Sequence, residues 1–395
     1  MNIKTAFRLP VIFLIIAGLI GLLLRVSFFS LPFESFHYRF WVHTHSHVML
    51  LGWLFNSVFL MVLYYLYGEQ LPPTLIRIFW LLQLSIVGML FTFPVQGYAA
   101  GSIFFSTLHI LVSYYFIWRV WPALPLLHPV TSLLLKWSLL FLSISTIGPF
   151  ALGAGMANGL EQSVFYSLSI YYYLHFQYNG WLMFAFLFVF FSWGIHRGHR
   201  INQSQAIRAI RILVIACFLT FSLSALWIKP GVWLNMLGFF SAVLQIISFF
   251  LLAGCFPWRE VAPEGRFMRL VSGVLVMAFA LKLLLQLFSS LPPVVEMTQI
   301  KNIVIAYLHL VFLGVFTVFI FWWLWQTKIL AITSLSKSVF FLFMIGFAGT
   351  EFVLAFSQWM DLPWRNEIIF SFSFSLLLSF VLIGTCIFTE KNQTI

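Results

Sequence analysis

Polar residues divide this chain into a series of long apolar runs joined by short turns. The runs follow one another from Pro10 to Thr389, and their lengths suit helices crossing a hydrocarbon layer about 30 Å thick. Twelve helices are predicted, at about 10–30, 43–67, 74–94, 99–121, 131–155, 166–194, 207–228, 232–256, 267–290, 302–326, 335–357 and 367–389. In lipid, backbone amides find no water, so spans of this kind are helical rather than irregular. No intervening stretch is polar enough for a separate soluble domain. Residues 1–395 therefore read as one polytopic domain, all-α and integral to a lipid bilayer.

One polar pattern recurs inside the runs. A histidine is followed five residues later by glycine in the second, sixth and tenth spans: His47 to Gly52, His175 to Gly180 and His309 to Gly314. His109, in the fourth span, has a similar place. If even-numbered spans run inward, His47, His109, His175 and His309 occupy one slab in the outer half of the bilayer. Intramembrane imidazoles are costly and mark functional sites by default. A single one also serves as a hydrogen-bonding residue between helices, and the glycine as a helix-packing residue. Several imidazoles at one depth point to a metal or haem centre, because neutral imidazole ligates haem iron, copper and iron. His47 and His309 fit the two axial positions of a bis-imidazole haem, with His43 and His45 just above His47 at the rim. His128, His196 and His199 fall in inner loops beside arginines and read as surface residues.

Composition sharpens this. The chain is 62% hydrophobic, 20% aromatic and 8% charged, and its net charge of +11 invites a nucleic-acid reading. The distribution rejects it. With a cytoplasmic amino terminus, fifteen of the 21 Lys and Arg residues fall on the inner side, from Lys4 and Arg8 through Arg259 to Lys391. Four fall outside (Arg39, Lys229, Lys301 and Arg365), and Arg25 and Lys282 lie within spans. This is the positive-inside rule, which places both termini in the cytoplasm. The first span follows Lys4 and Arg8 but is long and lacks a small-x-small cleavage site, so it reads as a helix rather than a signal peptide. Cys217, Cys255 and Cys386 are dispersed, with no Cys-x-x-Cys-His for covalent haem. Lys282 and Glu351 sit at similar depth and read first as a structural ion pair, second as part of a proton path. Gly148-Pro149 with Gly153 and Gly155 is expected to bend the fifth helix.

Helix count and histidine placement together resemble the catalytic subunit of the haem–copper oxidases, whose fold is twelve helices in three four-helix arcs. The likeness is nearest to the nitric-oxide-reductase-like branch. His47 through Tyr64-Tyr65-Leu66 is similar to the second helix of that branch, and His309-Leu-Val-Phe-Leu-Gly314 to its tenth; these supply the axial ligands of a low-spin haem b. His175-Phe-Gln-Tyr-Asn-Gly180 resembles the sixth-helix segment that supplies a ligand of the non-haem metal. Trp233 to Val243 resembles the eighth helix. The family pairs arginines of the loop between its last two helices with haem propionates, which nominates Arg365 in Asp361-Leu-Pro-Trp-Arg-Asn-Glu367. Arg39, Arg25 and His43 are further candidates, and an interface-anchoring role beside Trp359 and Trp364 carries equal weight.

The departures shape the functional expectation. Tyr307 stands where the family has the first histidine of His-x-His, no histidine occurs between His199 and His309, and Asn179 replaces a glutamate. The dinuclear centre has thus lost most of its ligands, while the low-spin site is intact. The resemblance implies a haem b protein of electron transfer, or of nitric oxide or oxygen-linked redox chemistry, in a bacterial cytoplasmic membrane. Its electron donor would be a partner subunit or quinol. Whether it is an enzyme stays open. A second haem, or a copper or iron ion on His175 and His109, belongs to the nitric-oxide-reductase reading. The alternatives are a non-catalytic haem- and copper-containing nitric oxide tolerance or sensing protein, and a haem-free transporter.

Overall fold

The computed structural model describes residues 1–229, 231–257, 265–359 and 364–389. Arg259, Asp361 and Lys391, which entered the charge and loop readings, lie outside them. Among the described residues there is no strand, only an isolated antiparallel bridge between Asn2 and Gln70. Twelve helices are long and apolar enough to cross a membrane. They are α1 Ile3–Val26, α2 Tyr38–Tyr67, α3 Pro73–Gln96, α4 Ala100–Leu126, α5 Pro129–Ala157, α6 Val164–His196, α7 Gln203–Ile228, α8 Val232–Ala253, α9 Arg266–Phe288, α10 Lys301–Gln326, α11 Ser334–Phe356 and α12 Arg365–Thr389. Every predicted span is present. The ends agree to within five residues except at α1, which starts at Ile3 rather than near Pro10.

Local chemistry explains the boundaries. Pro73 and Pro129 sit in the first turns of α3 and α5, where a missing N–H costs nothing. The side chains of Ser163 and Asn202 accept from backbone amides at the starts of α6 and α7. Thr333 and Ser336 form a reciprocal capping box on α11. Helix α5 is interrupted at Thr146, as its glycines and proline predict. Pro149 has no N–H to offer the Ser145 carbonyl one turn earlier.

The chain gathers into two compact units. The first comprises Met1–Phe116 and the chain from Ile305 on, and the second, Ile117–Val304, is inserted between them. In the first unit α12 packs against α11 and α1, and α1 against α2. Arg8 Nη2 reaches the Phe388 carbonyl (3.5 Å), the Ile3 amide donates to the Glu69 carbonyl (2.9 Å), and Lys4 pairs with Glu69 (3.5 Å). The start of α1, the α2–α3 turn and the end of α12 therefore share one end. In the second unit α7 packs on α8 and α5 on α6. Its opposite loops are joined by Asn235 Nδ2 donating to the Ser290 carbonyl (2.8 Å) and by the exposed Lys229–Glu296 pair (3.6 Å).

Burial separates the spans into central and peripheral helices. The apolar windows of α2 and α6 are 83% buried and that of α10 61%, whereas no other span exceeds 50%. The three helices carrying the histidine–glycine pattern are thus the most buried spans.

Candidate functional site

The structure gives that pattern a backbone meaning. Each of the three histidines is the last residue of an α-helical stretch, and a π-helix begins at the next residue: Val48–Phe55 in α2, Phe176–Leu182 in α6 and Leu310–Thr317 in α10. π-helical turns are rare and occur preferentially at functional sites. In each segment a side chain donates to one of its carbonyls. Asn56 Nδ2 donates to Gly52 (3.1 Å), Ser138 Oγ to Trp181 (2.9 Å) and Thr317 Oγ1 to Phe312 (2.9 Å). The glycine of each motif lies within its segment and presses on a phenylalanine: Gly52 on Phe13, Gly180 on Phe141 and Gly314 on Phe347. A Cβ on Gly52 or Gly180 would come within 2.7 Å of the partner's own Cβ, so no larger residue fits without moving a helix.

Counted from the amino-terminal ends of their spans, His47 and His109 are the tenth residues, His175 the twelfth and His309 the ninth. Their surroundings differ.

In the first unit α2 and α10 are parallel neighbours. Trp53 Nε1 donates to Thr317 Oγ1 (2.9 Å), and further along both helices Trp323 Nε1 donates to Tyr65 Oη (3.1 Å). Eight residues before Thr317 stands His309, and eight before Trp53 stands His45. Both thus precede the Trp53–Thr317 bridge by the same number of residues. His309 Nδ1 donates to Glu351 Oε1 of α11 (3.0 Å), and His45 Nδ1 to the Ala17 carbonyl of α1 (2.9 Å). Because carboxylate and carbonyl only accept, both imidazoles carry a proton on Nδ1, and in the neutral form each has its lone pair on Nε2. His45 interacts electrostatically with His309 and Arg25, and Arg25 of α1 with Glu351 and Tyr38. Gly21 of α1 leaves the space that the His45 ring occupies. Arg25, His45, His309 and Glu351 thus form one cluster on α1, α2, α10 and α11.

His47 turns the other way. Its Nδ1 donates to the His43 carbonyl one turn back (2.8 Å), its ring lies 4.3 Å from that of Phe93 on α3, and its Nε2 is 3.5 Å from Tyr98 Oη. His43 and His109 interact electrostatically with His47. His45 thus interacts with His309, while His47, expected to pair with His309, has Phe93 and Tyr98 as its neighbours. Two residues along a helix is a rotation of about 200°, so His45 and His47 occupy opposite faces of α2. His109 is buried on α4 against the Phe55 ring, its Nδ1 3.5 Å from Ser113 Oγ and its Nε2 without a hydrogen-bond partner.

Arg39 is exposed near the start of α2 and interacts with His43, on the His47 side. Arg365 is exposed at the start of α12 and donates to the Ser357 carbonyl at the end of α11 (3.2 Å). Tyr307 is half-buried, two residues before His309. The cation inside the cluster is Arg25.

The second unit holds a different arrangement. His175 Nε2 donates to the Cys217 carbonyl of α7 (2.8 Å), and its Nδ1 accepts from Asn179 Nδ2 (3.3 Å). Asn179 Oδ1 accepts from Lys282 Nζ of α9 (2.7 Å), and Lys282 is wholly buried. Lys282 and Glu351, matched by depth in the sequence, thus have separate partners, Asn179 and His309. Both ring nitrogens of His175 are engaged by protein, which leaves no lone pair for a metal in this arrangement. Among the described residues no group of three or more His, Cys, Asp or Glu side chains is gathered to hold a metal ion.

The partners of His45 and Glu351 had little signature in the sequence. Glu351 could have been found from its place near the carboxyl-terminal end of α11, which meets the amino-terminal part of α10 where His309 stands. No family model matches the chain, and no curated protein matches it.

Proposed function

We propose that this multi-pass membrane protein binds haem b in its first unit, with His45 of α2 and His309 of α10 as axial ligands, and serves one-electron transfer. The observation carrying this is the pair of interacting imidazoles, each anchored through Nδ1 so that in the neutral form its lone pair is on Nε2. In metal-ligating histidines, an acceptor that takes the Nδ1–H fixes ring orientation and raises the basicity of Nε2. Two imidazoles without a third ligand make a poor closed site for a bare ion, whereas the equatorial positions of haem iron are filled by its own macrocycle. When bound, a bis-imidazole haem supplies reversible one-electron chemistry and has no open position for a gas.

The chain's own residues have defined tasks. Ala17 and Glu351 hold the two rings in orientation. Gly21 gives the His45 ring room, and Arg25 supplies positive charge beside Glu351. The Trp53–Thr317 hydrogen bond keeps α2 and α10 in register below the histidines. The engaged ring of His175 gives no support to a second metal, and catalysis of gas reduction is set aside in favour of electron transfer. The membrane is proposed to be a bacterial cytoplasmic membrane with both termini inside, and the electron donor a partner subunit or quinol.

The test is haem content and the reduced-minus-oxidised spectrum of the detergent-purified chain. Wild type is expected to carry one haem b with sharp low-spin bands. His45→Ala and His309→Ala lose those bands, and His47→Ala keeps them. Loss in His47→Ala with retention in His45→Ala would move the ligand to the opposite face of α2. A wild-type protein without haem overturns the reading and leaves the transporter alternative.

A further inference from the structure

We infer that Glu351 is a positioning residue that sets the electron affinity of this site by charging His309 through its Nδ1–H. The inference rests on the haem reading above. The two imidazoles are held unequally. His45 donates to a neutral carbonyl, whereas His309 donates to a carboxylate at 3.0 Å. A carboxylate draws the Nδ1 proton toward itself and makes Nε2 a stronger electron donor. It therefore favours the more highly charged, oxidised state of whatever iron that nitrogen holds.

The surroundings keep the charge concentrated. The Glu351 side chain is only 16% exposed. Oε1 also accepts from Thr350 Oγ1 (3.3 Å), and Oε2 is buried with no hydrogen-bond partner. Among the described cations, Arg25 interacts electrostatically with it and offsets the negative charge without a direct ion pair between them. In a weakly polarisable interior such charges act strongly on a neighbour. Arg25 and Glu351 thus bias His309 in opposite directions.

The experiment is a spectroelectrochemical titration of the full-length purified protein. Glu351→Gln keeps an oxygen for the Nδ1–H and removes the charge. It is expected to retain wild-type haem content and low-spin bands and to shift the ferric–ferrous equilibrium at least tenfold toward ferrous, about 59 mV for a one-electron couple. Arg25→Gln is expected to shift it toward ferric. A residue that served only packing would not give opposite signs for the two variants. Haem-replete Glu351→Gln titrating at the wild-type midpoint overturns the inference and leaves the haem reading standing. Should Glu351→Gln fail to fold, an unchanged or raised midpoint in Arg25→Gln overturns it instead. Absence of haem from wild type removes both.

Discussion

At the scale of single residues, the molecule turns on which atoms of a side chain are already engaged. His45 and His175 are both intramembrane histidines bonded to a carbonyl of another helix, yet only His45 keeps a free ring nitrogen. His175 is closed by Asn179, which is in turn closed by Lys282. A wholly buried amine depends on such an acceptor, because stranding a buried polar group costs about 1–3 kcal/mol and more if it is charged. Asn179→Leu is accordingly expected to lower the thermal midpoint in detergent by stranding the Lys282 amine, and Lys282→Met to lower it less, since the amide oxygen it leaves unpaired is neutral. The double variant should recover most of the loss, which the coupling energy of a thermal-unfolding cycle measures. Additive losses would mean that Lys282 relies on another partner.

At the scale of elements, the three π segments are the feature that sets α2, α6 and α10 apart. Each follows a histidine, contains the motif glycine and has a carbonyl bonded by a side chain. The glycines let neighbouring helices approach where the wider turns lie. Gly52→Ala or Gly180→Ala would push a Cβ into a phenylalanine Cβ, an overpacking that costs about 1–3 kcal/mol. Gly153→Ala meets nothing within 4 Å and should be neutral or slightly stabilising. Folded yield and thermal midpoint of the three variants check this; equal behaviour would remove the close-approach argument. The histidine–glycine spacing was legible in the sequence. The π-helical turns were not, since a π turn differs from an α turn in its hydrogen-bond offset rather than in a residue pattern.

At the scale of the whole molecule, lipid and charge set the frame. The residues near the two ends of the first unit meet at one side through Arg8 and the Phe388 carbonyl, as twelve crossings require. With the excess of Lys and Arg on that side of the predicted topology, the positive-inside rule predicts that it is cytoplasmic. Single cysteines at Lys301 and Lys328 test the orientation with a membrane-impermeant maleimide in intact cells. Label is expected at 301 and, at 328, only after permeabilisation. The reverse pattern would invert the topology.

The sequence by itself determined the helices, their number and the place of each histidine along its helix, because these depend on hydrophobic length and on position along one helix. It also marked the three central helices through their shared spacing. Partners were decided only by tertiary structure. Each residue turns a helix by about 100°, so a step of two moves a side chain to the opposite face without changing its depth appreciably. That is why the sequence pointed to His47 where the fold brings His45 to His309, and why depth alone matched Glu351 with Lys282. The facing of helices α1, α2, α10 and α11 assembled Arg25, His45, His309 and Glu351 into one cluster, from residues that stand far apart in the chain.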